Sequence, residues 1–153
     1  MLTDELLTKK EHSLLTEHLN EPRTPEFYGL PKIHKMFSNF PPLRPIVSGY
    51  KSCSNRLSEY LDSFLKFQAQ KCNSYVRDTK DFLNKIIDLQ NLPSNSTLVT
   101  MDVSSLYTNI DHNEGAEACF IKLQTRKNKT VSSELLQKLI IIVLKSNAFR
   151  FGN

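Results

Sequence analysis

"LVTMDVSSLYTNI", residues 98–110, sets an apolar run against one aspartate and then a hydroxyl-rich stretch. Leu98, Val99 and Met101 belong to "TLVTM", a short run rich in β-formers, so a strand is expected to end at Asp102. A carboxylate in that position has two physical readings. It accepts backbone N–H groups as the cap of a following helix, or it stands on a loop as a hard oxygen ligand for Mg2+. The residues alone leave both open. Downstream, "DHNEGAEACF" carries its own cap candidate, Asp111, with Glu114 three residues on, the spacing of a capping box.

Helical periods surround this stretch. Leu57, Tyr60, Leu61, Phe64 and Leu65 place a helix over 54–70, with Ser54 as its cap. Phe82, Leu83, Ile86 and Ile87 place another over 78–90, opened by Asp78. "SSELLQKLIIIVLKSN" is apolar nearly all round after Leu135, which requires deep burial or a partner. Near the N-terminus, Leu6, Leu7, Leu14 and Leu15 suggest a helix over 3–19, capped by Thr3. "NAFRFGN" reads as the opening of a further strand, and the chain is expected to be cut there rather than finished.

Residues 21–50 behave differently. Pro22, Pro25, Pro31, Pro41, Pro42 and Pro45 lie here, out of 7 prolines in the chain, and no long helix survives that density. Two extended pieces, "EFYGL" and "LRPIVSG", are short enough to be the arms of a hairpin joined by "MFSNFPP". Proline confines them to edge positions. Between residues 23 and 56, six cations (Arg23, Lys32, Lys35, Arg44, Lys51, Arg56) face one acid, Glu26, a surplus larger than the whole net charge of +4. Phe27, Tyr28, Phe37, Phe40 and Tyr50 are interleaved with them. Charge for phosphate and rings for bases is the composition of a nucleic-acid surface, and a solvated basic loop is the plainer alternative. Lys32 and Arg44, on adjacent arms, are suited to grip a triphosphate, the arginine as a fork and the lysine as a point charge.

Other classes are excluded. The longest apolar run, "LIIIVL" at 139–144, is far below the roughly 18 residues of a membrane span, so no membrane partner is expected. Cys53, Cys72 and Cys119 are odd in number and far apart, which fits neither a disulfide framework nor a zinc site. They read as small buried hydrophobes in a reducing compartment, cytosol or nucleus. Ser104 and Ser105 have no histidine placed to activate them, which removes a serine hydrolase.

Taken in order, "FYGLPKIHK" (27–35), "RPIVS" (44–48) and "LVTMDVSSLYTNIDHNEG" resemble the reverse transcriptases of Penelope-like retroelements, relatives of telomerase reverse transcriptase. The resemblance runs from about Glu21 to the C-terminus and includes the spacer "SYVRDTKDFL". It implies an α+β fold, the fingers (about 21–92) and partial palm (about 93–153) of a right-hand polymerase, after an N-terminal helix or linker over 1–20. It implies an RNA template, a DNA primer and a deoxynucleoside triphosphate as partners, two Mg2+ (or Mn2+) ions in the complete enzyme, and the nucleus ahead of the cytoplasm as location. By position, Lys32 and Arg44 match the residues that hold the incoming triphosphate. Asp102 matches the first palm aspartate, a metal ligand, and the Val103 carbonyl would complete a metal shell. Tyr107 matches the aromatic gate that packs under the sugar and disfavours a 2′-hydroxyl. His34, Lys35, Lys51 and Arg56 are further candidate nucleic-acid contacts. The family's aspartate doublet is missing, since no Asp-Asp occurs in the sequence. Its preceding glycine-bearing motif, the thumb and the endonuclease of many relatives are missing too. The chain by itself is therefore expected not to polymerise. A non-catalytic nucleic-acid-binding remnant is the alternative.

Overall fold

A computed structural model of the 153-residue chain describes residues 7–17, 21–34, 40–87, 89 and 92–152. Six helices and one two-stranded sheet occur among them: α1 (Lys9–Thr16), β1 (Glu26–Pro31), β2 (Leu43–Ser48), α2 (Asn55–Ala69), α3 (Thr79–Ile87), α4 (Leu106–Asn109), α5 (His112–Gln124) and α6 (Ser133–Lys145).

The helices build the core. α5 and α6 pack on each other, α2 packs on both, and α1 lies on α2. Leu61 from α2, Ala116 and Leu123 from α5, and Leu135, Leu136, Leu139 and Ile140 from α6 are buried together with Val131 from the connection. The stripe expected on α2 is the one used: Leu57, Tyr60, Phe64 and Leu65 pack against this cluster. The apolar side chains in the first half of α6 are buried, and in its second half Ile141, Val143 and Leu144 pack on the core while Ile142 is 51% exposed.

The caps are local and mostly as read. Asp111 Oδ1 accepts from the N–H groups of Asn113 (2.8 Å) and Glu114 (3.2 Å). Asp78 Oδ1 accepts from Asp81 N–H at 2.8 Å. Ser54 precedes α2 without a side-chain cap bond. Thr3 lies outside the described residues, and α1 begins later, at a Thr8–Glu11 capping box.

The bonds from Glu114 N–H to Asp111, from Asp81 N–H to Asp78 and from Thr8 N–H to Glu11 hold those carboxyls below their ordinary range. A lowered folded-state value means that the unfolded chain binds protons more readily. The stabilisation is present above the unfolded value and is lost as pH falls through the folded one. Thermal unfolding followed from neutral pH downward is therefore expected to show a midpoint that falls below about pH 4. A midpoint that rises there would contradict the assignment.

β1 and β2 pair antiparallel with Phe27 opposite Val47, Tyr28 opposite Ile46 and Leu30 opposite Arg44. Residues 35–39 of the expected connection lie outside the described residues. An isolated hairpin is marginal in water. Here the C-terminal stretch supports it. Arg150 bridges Glu26 in parallel, with Phe27 N–H donating to the Arg150 carbonyl (3.1 Å) and Arg150 N–H to the Pro25 carbonyl (2.8 Å). The Phe27 ring stacks on Phe149 at 5.7 Å and meets Phe151 edge-on at 5.1 Å. The expected further strand is thus a single bridge on β1.

Several expectations are corrected. Thr97–Met101 forms no strand, so Asp102 does not end one. Leu98, Val99 and Met101 are 79%, 66% and 93% exposed, and no neighbouring strand among the described residues takes their backbone groups. β propensity without a partner does not make a sheet. Phe82, Leu83 and Ile87 of α3 form the expected stripe but are exposed as well, because no helix among the described residues packs on α3. Cys53 is also exposed rather than buried. No helix among the described residues is long and apolar enough to cross a membrane.

Candidate functional site

The hairpin brings two of the candidate residues together. Side chains directly opposite in an antiparallel pair share a face, and so do those two residues along. Arg44 lies opposite Leu30. Lys32 follows two residues later and continues the ladder past the end of β1, its N–H donating to the Pro42 carbonyl at 2.9 Å. Lys32 and Arg44 are therefore diagonal neighbours on one face, roughly 7–8 Å apart by ordinary sheet geometry. The same face carries Tyr28, 46% exposed, and Leu30, 48% exposed.

The arginines beside the hairpin are engaged differently from this pair. Arg23 and Arg150 both bind Glu26, at 2.6 and 3.0 Å. Arg77 pairs with Asp78 and Lys85 with Asp81. Neither Lys32 nor Arg44 makes an ion pair or side-chain hydrogen bond among the described residues. Two like charges on neighbouring positions of one face repel, and a polyphosphate bridging them would reverse the sign.

The other candidates are placed as follows. His34 is exposed in the turn after β1, and Lys35 lies outside the described residues. Lys51 takes a left-handed conformation (φ 58°), its carbonyl accepting from Arg23 N–H at 2.9 Å and its ammonium lying 5.6 Å from the Tyr50 ring centre. Arg56 is engaged within the fold, bound to Glu59 at 2.9 Å and Glu17 at 3.3 Å, so it ties α2 to the end of α1 rather than standing ready for a phosphate. Sequence distance hid Glu17 as its partner.

Asp102 is exposed, with Oδ1 accepting from the next N–H, that of Val103, at 2.9 Å. It caps no helix. Tyr107 sits on the four-residue α4 and is 93% exposed, after Ser105 turns the chain through the left-handed region (φ 51°, ψ 45°). No hydrogen bond or ion pair among the described residues joins Asp102 or Tyr107 to the hairpin pair.

The implied metal ions do not fit this set of residues. No group of three His, Cys, Asp or Glu side chains that would hold an ion gathers among the described residues, and the Asp102 carboxylate accepts from the Val103 N–H next to it. A lone exposed carboxylate is a weak ligand for an ion that surrenders water reluctantly.

One functional-looking residue escaped the sequence. Arg126, 8% exposed, donates to the Leu123 carbonyl (2.9 Å), the Val131 carbonyl (2.9 Å) and Ser133 Oγ (3.4 Å). Burial pushes its proton affinity down. "TRKNKT" reads as a basic turn, and nothing in that pattern marks which cation turns inward.

Comparison with protein-family models, with curated proteins and with solved structures finds no match.

Proposed function

We propose that this chain is the nucleotide-gripping part of an RNA-directed DNA polymerase of the Penelope-like kind. In this reading the β1–β2 hairpin binds the phosphates of a deoxynucleoside triphosphate or of the primer–template. The observation that carries it is the Lys32–Arg44 pair: two cations on one face, without partners among the described residues, while Arg23 and Arg150 beside the hairpin are bound to Glu26. Tyr28 and Leu30 add an apolar platform on the same face. The ordered motifs around Lys32, Arg44, Asp102 and Tyr107 supply the polymerase identity.

Phosphoryl transfer is mostly positioning and charge stabilisation. This chain offers the positioning cations, and among the described residues no three carboxylates, histidines or cysteines gather into a metal centre. The purified chain, given a primer–template, deoxynucleoside triphosphates and Mg2+, is therefore expected to give no extension product. Robust extension would refute that. In a longer protein that contains this segment and extends primers, Asp102→Asn is expected to cut extension by at least about a hundredfold. Near-normal activity would sink the polymerase assignment.

The alternative is a module that binds nucleic acid through the hairpin without catalysis. It is favoured by the exposed position of Asp102. Both readings share the hairpin, and the Asp102→Asn result separates them.

A further inference from the structure

A second cationic site lies away from the hairpin. Between the C-terminal half of α2 and the α5–α6 connection is a cavity of about 680 Å³, within the ordinary range for a small-molecule site. Phe64, Phe67 and Val131 supply apolar lining, and Arg126, Lys71 and Lys127 supply three cations.

The charge there is not cancelled by the fold. Among the described residues the Arg126 guanidinium donates only to neutral acceptors, the two carbonyls and the Ser133 hydroxyl. The guanidinium also lies 5.2 Å from the Phe64 ring centre, and the Lys71 ammonium 4.0 Å from that of Phe67. Among the described residues one acid lines the cavity, Glu11, and it accepts from Tyr60 Oη (2.9 Å) and Thr8 N–H (2.8 Å) rather than from a cation. A buried guanidinium without a counter-ion is costly to maintain, and its persistence beside two lysines in an apolar-walled cavity calls for an anion.

We propose that this cavity binds an organic phosphate monoester with a flat apolar body, the ring lying against Phe64, Phe67 and Val131 and the phosphate meeting Arg126, Lys71 and Lys127. Three cations suit a dianion better than a single carboxylate. The aromatic wall suits a ring better than a free phosphate, and edge or face contacts between rings add to simple burial.

The test uses 1-naphthyl phosphate as probe on the isotopically labelled full chain, followed by amide shifts. Shifts are expected at residues 63–71 and 126–131, with binding at least about tenfold tighter than that of 1-naphthol or of inorganic phosphate. Lys71→Glu with Lys127→Glu, both at exposed positions, is expected to weaken it by at least about tenfold while leaving the fold intact. Arg126→Gln should weaken it too, but that variant also loses bonds that hold the α5–α6 connection, so the lysine pair decides. Unchanged affinity in the lysine variant, equal binding of 1-naphthol, or shifts confined to other regions would overturn the proposal. The site does not rest on the polymerase reading, and substitutions at Lys32 and Arg44 are expected to leave it unaltered.

Discussion

Leu136→Ala is expected to lower stability by roughly 3–5 kcal/mol, a loss among the largest for a single truncation of the described core. Leu136 is wholly buried, beside Leu123 and Ala116, at the meeting of α5 and α6. Removing its branched end deletes transfer energy and leaves a cavity that rigid helices on both sides cannot close. The loss is large against a total of about 5–15 kcal/mol for an ordinary domain. This chain should lie toward the lower end of that range, because much of its large apolar side-chain surface, including Met101, Tyr107 and Ile87, stays in water. With a urea slope of about 1–3 kcal/mol per molar, the unfolding midpoint should fall by one or more molar. Ile142→Ala, at a half-exposed position on the same helix, should cost about 1 kcal/mol or less. Equal losses at the two positions would mean that the helical core is not the one described.

The second large effect is on binding. Lys32→Ala with Arg44→Ala is expected to weaken binding of a short primer–template by roughly fifty- to a hundredfold near 0.1 M salt. Each phosphate contact contributes about 0.9 to the slope of log K against log salt, so two contacts are worth nearly two decades at that concentration. The slope should become shallower by about 2. Fluorescence anisotropy at several salt concentrations measures both quantities. The fold should not change, since neither side chain bonds to the rest of the protein among the described residues. Arg56→Ala is the control. Its guanidinium is committed to Glu17 and Glu59, so it should affect stability more than affinity. Unchanged affinity and slope in the double variant would end the hairpin reading and with it both forms of the proposed function.

How far the site was legible in the sequence differs by residue. Lys32 and Arg44 could be placed on adjacent arms because proline density forbids helix and two short extended pieces remain. Their common face came from the register, which Leu30 opposite Arg44 fixes. Asp102 was read as a strand end, and that failed because a strand is a pairing rather than a local property. Arg126 was unreadable, since an inward and an outward arginine look alike in a turn. Arg56 looked free because its partner Glu17 lies on another helix.

What the sequence determined by itself was local. The period of Leu57, Tyr60, Leu61, Phe64 and Leu65, the caps at Asp78 and Asp111, and the breaks at the prolines each depend on residues within a turn or two. Backbone sterics and near-neighbour hydrogen bonds set them wherever the segment ends up. The tertiary structure alone decided three other things. It seats Arg150 and its flanking phenylalanines on β1, leaves Thr97–Met101 and the α3 stripe in water, and turns Arg126 inward while Arg44 stays exposed and Lys32 half-buried. Each depends on which distant surface arrives beside a segment. Burial and counter-charge are properties of that meeting, and no stretch of sequence contains them.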